Sequence, residues 1–246
     1  KLFFDLCPCP IIGVTGTKGK GTTATLIYEI LKKSGHDVYL GGNIGLPPLD
    51  FLEKLTAASY VVLELSSFQL EDLEKSPQIA VVLMVTSEHL ASQAPDSPNY
   101  HKSLTDYLKA KERVVRYQRE GDWAVFNYDY QNSREMAKIT KAQTYFFSSR
   151  VELKQGVYVK FGKIIFRKEK FEEVCAVSDI FIRGEHNWEN VCAAVCVGKI
   201  LGIANKTIRE AVGSFKGLEH RLELVREICG VNYYNDSFST TPETAI

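Results

Sequence analysis

The run Gly13-Val14-Thr15-Gly16-Thr17-Lys18-Gly19-Lys20-Gly21-Thr22-Thr23 sets a lysine and two hydroxyls among closely spaced glycines. Glycines let successive backbone N–H groups converge on phosphate oxygens, and a helix starting there adds its positive N-terminal end. Lys20 would bring a point charge to the β- and γ-phosphates. A hydroxyl at Thr22 or Thr23 would meet Mg²⁺. The expected nucleotide-binding set is Gly16, Thr17, Lys18, Gly19, Lys20, Gly21, Thr22 and Thr23. Two features depart from the strict phosphate-loop spacing. Val14 stands where the first glycine is usual, and Gly21 replaces the hydroxyl directly after Lys20. A glycine-rich turn that holds nothing is the bland alternative. The loop, the lysine, the hydroxyls and the strand–helix context together favour phosphate.

Further chemistry sits at the ends of apolar runs. Glu64 lies near the end of Tyr60 to Leu65, where open α/β sheets bind ligands, so its carboxylate suits Mg²⁺ bridging ATP phosphates. A solvated strand-end glutamate is the plain alternative. Ser87-Glu88-His89-Leu90 follows Ile79 to Val85, although a single histidine is more often structural than a metal ligand. Lys111 shares a helical face with Leu104, Leu108 and Val115, so some burial is expected. Burial lowers a lysine pKa and exposes a neutral amine. Its charged neighbours Lys109, Glu112 and Arg113 would equally suit a surface lysine. Asn187 and Asn190 are spaced to share one helix face, and their amides suit an adenine edge; N-capping by Asn187 is the structural alternative. His36 and His101 carry no partner pattern and read as surface residues.

The elements that must position these groups alternate. Ile11 to Thr15 reads as a buried strand, and Thr22 to Lys33 as a helix that Ser34-Gly35 stops. Val38 to Leu40 is a strand and Pro47 to Leu55 a helix with Pro near its start. Tyr60 to Leu65 and Ile79 to Val85 suit strands covered on both faces. A helix is expected over Tyr100 to Tyr117, with strands at Trp123 to Phe126 and Tyr145 to Phe147. The alternation implies an α/β fold with a doubly wound, mostly parallel sheet. Val151 to Phe181 alternates apolar and polar residues around Gly156 and Gly162, which predicts antiparallel hairpins at the sheet edge. Helices return at His186 to Leu201 and Thr207 to Phe215, and a strand pair follows at Leu222 to Ile228 and Val231 to Tyr234. A domain boundary is expected near Glu219 to Glu223, giving domains 1–221 and 222–246.

Composition is that of a globular protein, 45% hydrophobic and 24% charged, and Lys plus Arg (30) balance Asp plus Glu (30). Nothing in that balance calls for nucleic acid or a membrane surface. No apolar run approaches membrane length and no signal peptide opens the chain. The six cysteines are expected as reduced thiols of a cytoplasmic protein, and Cys7-Pro8-Cys9 is too closely spaced for a zinc pair. The start at Lys1 and the helix-like ending at Thr244-Ala245-Ile246 suggest part of a longer polypeptide.

The variant Gly-Thr-x-Gly-Lys-x-Thr resembles the loop of the Mur ligase and folylpolyglutamate synthetase superfamily, and further segments match it in the same order. Gly42-Asn43-Ile44-Gly45 and Glu64-Leu65-Ser66-Ser67-Phe68-Gln69-Leu70 look like the D-glutamate-adding branch of the Mur ligases. The resemblance implies that Asn43 and Ser66 touch the muramoyl substrate. Ser87 to Leu90 is similar to the family's Asp-His-Leu-Asp, which implies that His89 helps hold a second metal and substrate; Glu88 and Ala91 replace its aspartates. Ala110-Lys111 matches an Ala-Lys whose lysine is usually carbamylated and so becomes an anionic Mg²⁺ ligand. His186-Asn187-Trp188-Glu189-Asn190 matches His-Asn-x-x-Asn. His220-Arg221 implies that Arg221 contacts the γ-phosphate, and Asn235-Asp236-Ser237 that Asp236 contacts ribose or adenine. Phe238 stands where a lysine is common, and Thr240 would approach the incoming glutamate.

The activity so implied is ATP-dependent amide ligation through an acyl phosphate, adding D-glutamate to a UDP-sugar-peptide. Lys20, His89, Lys111 and Arg221 would act on the chemistry, with Thr22, Glu64, His89 and Lys111 on two Mg²⁺ ions. A monomer is expected. An N-terminal uridine-nucleotide domain would be missing and the C-terminal amino-acid domain cut short, leaving the fragment inactive alone. Three alternatives stay open: a folylpolyglutamate-type ligase, against which Ser66-Ser67-Phe68-Gln69 argues; a phosphate-loop kinase or NTPase of another class; and a non-catalytic nucleotide-binding module.

Overall fold

The computed structural model describes residues 1–86, 101–182, 184–219 and 223–237. Nine strands form one sheet: β1 (Ile11–Thr15), β2 (Val38–Gly42), β3 (Tyr60–Glu64), β4 (Ile79–Val82), β5 (Trp123–Asn127), β6 (Gln143–Ser148), β7 (Gly156–Lys160), β8 (Lys163–Arg167) and β9 (Phe171–Ala176). Their order is β2-β3-β1-β4-β5-β6-β7-β8-β9, and pairing is parallel from β2 across to β7. β7, β8 and β9 pair antiparallel. The α/β class and the antiparallel edge are therefore as the patterning predicts. A separate antiparallel hairpin joins β10 (Glu223–Ile228) to β11 (Val231–Asn235).

Alternation along the strands divides the core. Ile12, Val14, Val62, Val81 and Val125 face one cluster, while Ile11, Val61, Leu63, Val82 and Phe126 face the other. Each such side chain contributes roughly 1.5–3 kcal/mol by leaving water. The first cluster is closed by α2 (Lys20–Lys33), α6 (His186–Ile200) and α7 (Asn205–Ser214). The second includes residues of α1 (Leu2–Leu6), α4 (Leu104–Arg116), α5 (Gln131–Met136) and the 3₁₀ segment Pro48–Lys54.

α2 buries Leu26, Ile27, Ile30 and Leu31 as one stripe and ends where Gly35 turns to φ +85°. Pro47 to Leu55, expected as an α-helix, is a 3₁₀ stretch, a form common in short connectors. α4 begins at Leu104 rather than Tyr100, because the Ser103 hydroxyl caps it by accepting from the Asp106 N–H at 3.1 Å. Its buried face is Tyr107, Ala110, Lys111, Val114 and Val115, while Leu104 is exposed. α3 (Ser67–Leu70) is a single turn after β3.

β1 lies between β3 and β4, and the chain leaves β1 for the β2–β3 side. The connections that leave the carboxyl ends of β1 and β4 therefore part company there. This is the switch point of the sheet, where open α/β proteins form a crevice.

Candidate active site

The loop from Gly16 to Gly19 leaves β1 at that switch point and enters α2 at Lys20. Gly19 caps α2 with φ +83°, the left-handed region that glycine adopts freely. A Cβ there would also strike Oδ1 of Asn190. A Cβ on Gly16 would come within 2.7 Å of the Leu83 side chain. Glycine is needed at both places because the loop is pressed between the β4 connection and α6.

Backbone and hydroxyl bonds hold the loop against residues 83–86. The Thr17 N–H donates to the Met84 carbonyl at 2.7 Å, and the Leu83 N–H to the Thr15 carbonyl at 2.9 Å. The Thr17 hydroxyl donates to the Thr86 carbonyl at 3.1 Å and accepts from the Thr86 N–H at 2.9 Å. It also meets the Tyr107 hydroxyl at 2.8 Å. From the other side, Ser133 donates to the Leu83 carbonyl at 2.6 Å and the Asn132 amide to the Val85 carbonyl at 3.0 Å. A loop fixed this way can present its amides without first being ordered, which lowers the cost of binding.

Lys20 opens α2, and its ammonium donates back to the Thr17 carbonyl at 3.0 Å. Thr22 (9% exposed) and Thr23 (0%) lie in the first turn. Thr23 donates to Asn190 Oδ1 at 3.2 Å, so its hydroxyl is committed to α6 and Thr22 is the better placed of the two to meet a cation. Glu64, buried at 5% exposure, ends β3 with Oε2 3.1 Å from where a Gly21 Cβ would sit. The Gly16–Gly21 loop and this carboxylate thus share one cleft. A hydroxyl and a carboxylate are the hard oxygen donors that Mg²⁺ takes, usually beside substrate phosphates.

Lys111 is 2% exposed, fully buried rather than partly so. Its ammonium donates to the Gly16 carbonyl at 2.9 Å and to the Thr15 hydroxyl at 3.4 Å, and it lies 4.7 Å from the Tyr107 ring centroid. The surface-lysine alternative is excluded.

Asn187 and Asn190 lie on one face of α6, with Asn190 Nδ2 donating to Asn187 Oδ1 at 2.8 Å. The N-cap position belongs to Glu185, so capping by Asn187 does not occur. The two amides border a cavity of about 270 Å³, lined in part by Lys18, Gly19, Tyr130, Arg150, Trp188 and Glu189. Glu189 had not been singled out from the sequence. Its carboxylate accepts from Asn127 Nδ2 at 2.8 Å and from the Tyr130 hydroxyl at 3.3 Å. Burial holds its carboxyl above the usual glutamate range, against the lowering effect of those bonds. Burial likewise lowers the His186 imidazole.

Other expected residues sit further out. Asn43 is exposed, with its N–H on the Glu64 carbonyl at 3.1 Å. Ser66 caps α3 in a reciprocal box with Gln69. Asp236 follows β11. His89, Arg221 and Thr240, with Glu88, Ala91 and Phe238, lie outside the described residues. His101, expected at the surface, is a correction: it is 3% exposed, bonded to the Ser67 hydroxyl at 2.8 Å and stacked on Phe68 at 4.6 Å. Its partners come from another strand end, which no local pattern reveals. Tyr107 was also missed, although it stands one helical turn before Lys111 on the same face.

A family model described as "Mur ligase middle domain" matches residues 14–198. The UDP-N-acetylmuramoylalanine–D-glutamate ligase of Acetivibrio thermocellus is 43% identical over 247 residues, covering 100% of this chain and 51% of that protein. The enzyme of the same name from Koribacter versatilis is 42% identical over 248 residues, covering 100% and 53%. The chain spans about half the length of the curated relatives it matches. Among solved structures, MurF from Acinetobacter baumannii superposes with a TM-score of 0.75 at 20% identity, covering 99% of this chain and 53% of that one. MurF from Thermotoga maritima, solved with ADP, gives 0.67 at 23% identity, covering 99% and 56%. At those identities the structural likeness speaks for the fold.

Proposed function

The chain belongs to the Mur ligase family, and from that premise we propose that it is the nucleotide-binding part of an ATP-dependent ligase joining D-glutamate to UDP-N-acetylmuramoyl-L-alanine. The observation that carries this reading is the convergence of three elements on one crevice: the Gly16–Lys20 loop, Glu64 against Gly21, and Lys111 against Gly16. D-glutamate is proposed as the amino acid because the 42–43% identical relatives are D-glutamate ligases by name. The β10–β11 hairpin is read as the opening of a further domain that would receive it, with the boundary near residue 221.

In the proposed reaction a carboxylate of the UDP-sugar-peptide attacks the γ-phosphate of ATP and ADP departs. The amine of D-glutamate then attacks the acyl phosphate, and phosphate leaves as the amide forms. The loop amides and the Lys20 ammonium would hold the triphosphate and offset charge on its oxygens. The cavity beside Asn187, Asn190 and Glu189 would take the nucleoside. Thr22 and Glu64 fit Mg²⁺ as oxygen donors, and His89 is proposed as a further ligand; bound there, the ion would neutralise phosphoryl charge. Lys111 is an ammonium donor in its present contacts. Serving a metal would require the ammonium to lose one proton, add CO₂ through the neutral amine and lose a second proton, becoming a carbamate. Arg221 and Asp236 are proposed for phosphate and ribose, Asn43 and Ser66 for the muramoyl part, and Thr240 for glutamate.

No helix among the described residues is long and apolar enough to cross a membrane. Small-molecule substrates, a monomeric state and a cytoplasmic site are part of the proposal. The test uses the protein at the full length of its relatives. With ATP, Mg²⁺ and the UDP-sugar-peptide, phosphate release should depend on D-glutamate. Turnover with a folate and L-glutamate instead, or with neither, would replace this reading.

A further inference from the structure

Outside the crevice, Cys7 and Cys9 bring their sulfurs to 3.6 Å from one another. The Cys7 thiol also reaches the Cys9 carbonyl at 3.4 Å. If Cys7 donates there, Cys9 donates to the Cys7 sulfur, and the two hydrogen bonds form a closed local pair. Burial first, and then the bond with Cys7, hold the Cys9 thiol well above the usual cysteine range.

The backbone keeps this pair together. Pro8 and Pro10 each fix φ at their own position and confine the residue before them to extended backbone. Cys7 shows that restriction with φ −64° and ψ 121°. Phe3 anchors the preceding helix by packing edge-on against Phe51, and Ile11 begins β1 two residues beyond Cys9. Holding the segment at both ends removes chain entropy that bringing two thiols together would otherwise cost. The two sites differ in access. Cys7 is half-buried, Cys9 is 6% exposed, and Cys175, Cys192 and Cys196 are fully buried in the opposite core. Cys229 alone is exposed.

We infer that Cys7 and Cys9 form a dithiol modification site that low-molecular-weight disulfides oxidise to an internal disulfide. Cys7, as thiolate, attacks one sulfur of glutathione disulfide, whose S–S bond breaks and releases one glutathione thiolate. Cys9 gives its proton to solvent and attacks the Cys7 sulfur, and the second glutathione leaves. Two protein thiols and one glutathione disulfide thus become one protein disulfide and two glutathione thiols. Cys9 is the resolving partner because it is shielded from solvent yet touches Cys7. The reaction draws on neither nucleotide nor substrate, so it stands or falls separately from the ligase reading.

The test exposes the folded chain to glutathione disulfide, traps remaining thiols with an alkylating agent and maps the peptides by mass. The peptide holding both residues should become about 2 Da lighter, two hydrogens having been lost. Cys229 should carry glutathione, and the three core cysteines should be alkylated only after denaturation. In Cys9→Ser, glutathione should persist on Cys7; in Cys7→Ser, Cys9 should stay unmodified. A stable glutathione adduct on Cys7 of the unaltered protein would overturn the inference. So would intact thiols at both positions once Cys229 has reacted fully.

Discussion

The Lys111 ammonium meets the Gly16 carbonyl at 2.9 Å, so a residue on α4 braces the glycine-rich loop from beneath. The bond is buried, and a carbonyl whose charged donor is removed there costs about 1–3 kcal/mol. Lys111→Met keeps most of the bulk and loses the donor. Urea unfolding should therefore show a loss of about 1–3 kcal/mol, with weaker nucleotide binding. Unchanged stability would mean that the brace carries no energy.

Tyr107 serves the same loop through its hydroxyl, 2.8 Å from that of Thr17. Tyr107→Phe keeps the ring beneath Lys111 and removes this bond, for an expected cost of about 1 kcal/mol. Combined with Thr17→Val, the losses should fall short of additive by about 0.5–3 kcal/mol, the mark of a direct contact. Strictly additive losses in the double-mutant cycle would refute the coupling.

Gly19→Ala meets two separate obstacles. At φ +83° a non-glycine residue is strained by about 1–3 kcal/mol, and its Cβ would strike Asn190 Oδ1. Adding Asn190→Ala should relieve the collision and leave the strain, so thermal unfolding should show partial rescue. Full rescue would place the whole cost in the collision, and none would place it in the backbone.

The Glu189 carboxyl titrates above its ordinary 4.5 because it is buried. The folded state then holds this proton at pH values where the unfolded state has lost it. Its contribution to stability is therefore largest below about pH 4.5 and falls as pH rises through the raised folded value. Glu189→Gln removes that slope. The variant should unfold at a higher denaturant concentration than the parent near pH 8, and the difference should shrink or vanish near pH 4. A constant difference across the range would show that the carboxyl titrates alike in the folded and unfolded states.

Much of this was legible in the chain. Continuous apolar runs at Tyr60–Leu65 and Ile79–Val85 marked strands covered on both faces, and Gly156 and Gly162 marked the antiparallel edge. The loop from Gly16 to Thr23 showed itself because its chemistry is local: glycines, a lysine and hydroxyls lie within one short stretch. What stayed hidden depends on long-range packing. His101 looked like a surface residue because Ser67 and Phe68, which enclose it, come from the end of a distant strand. Lys111 was placed on a face with Leu104, but the helix buries Tyr107 and Val114 around it and leaves Leu104 in solvent. Glu189 stood between two noticed asparagines, and only Asn127 and Tyr130, arriving from another strand end, make it part of the cavity.

The most direct test is a crystal of the protein soaked with a non-hydrolysable ATP analogue and Mg²⁺. The phosphates should lie on the amides of residues 18–21 with the ion beside Glu64 and Thr22, and the nucleoside should enter the cavity next to Asn187 and Asn190. Phosphates found elsewhere on the chain, or a magnesium ion remote from Glu64, would contradict the shared crevice.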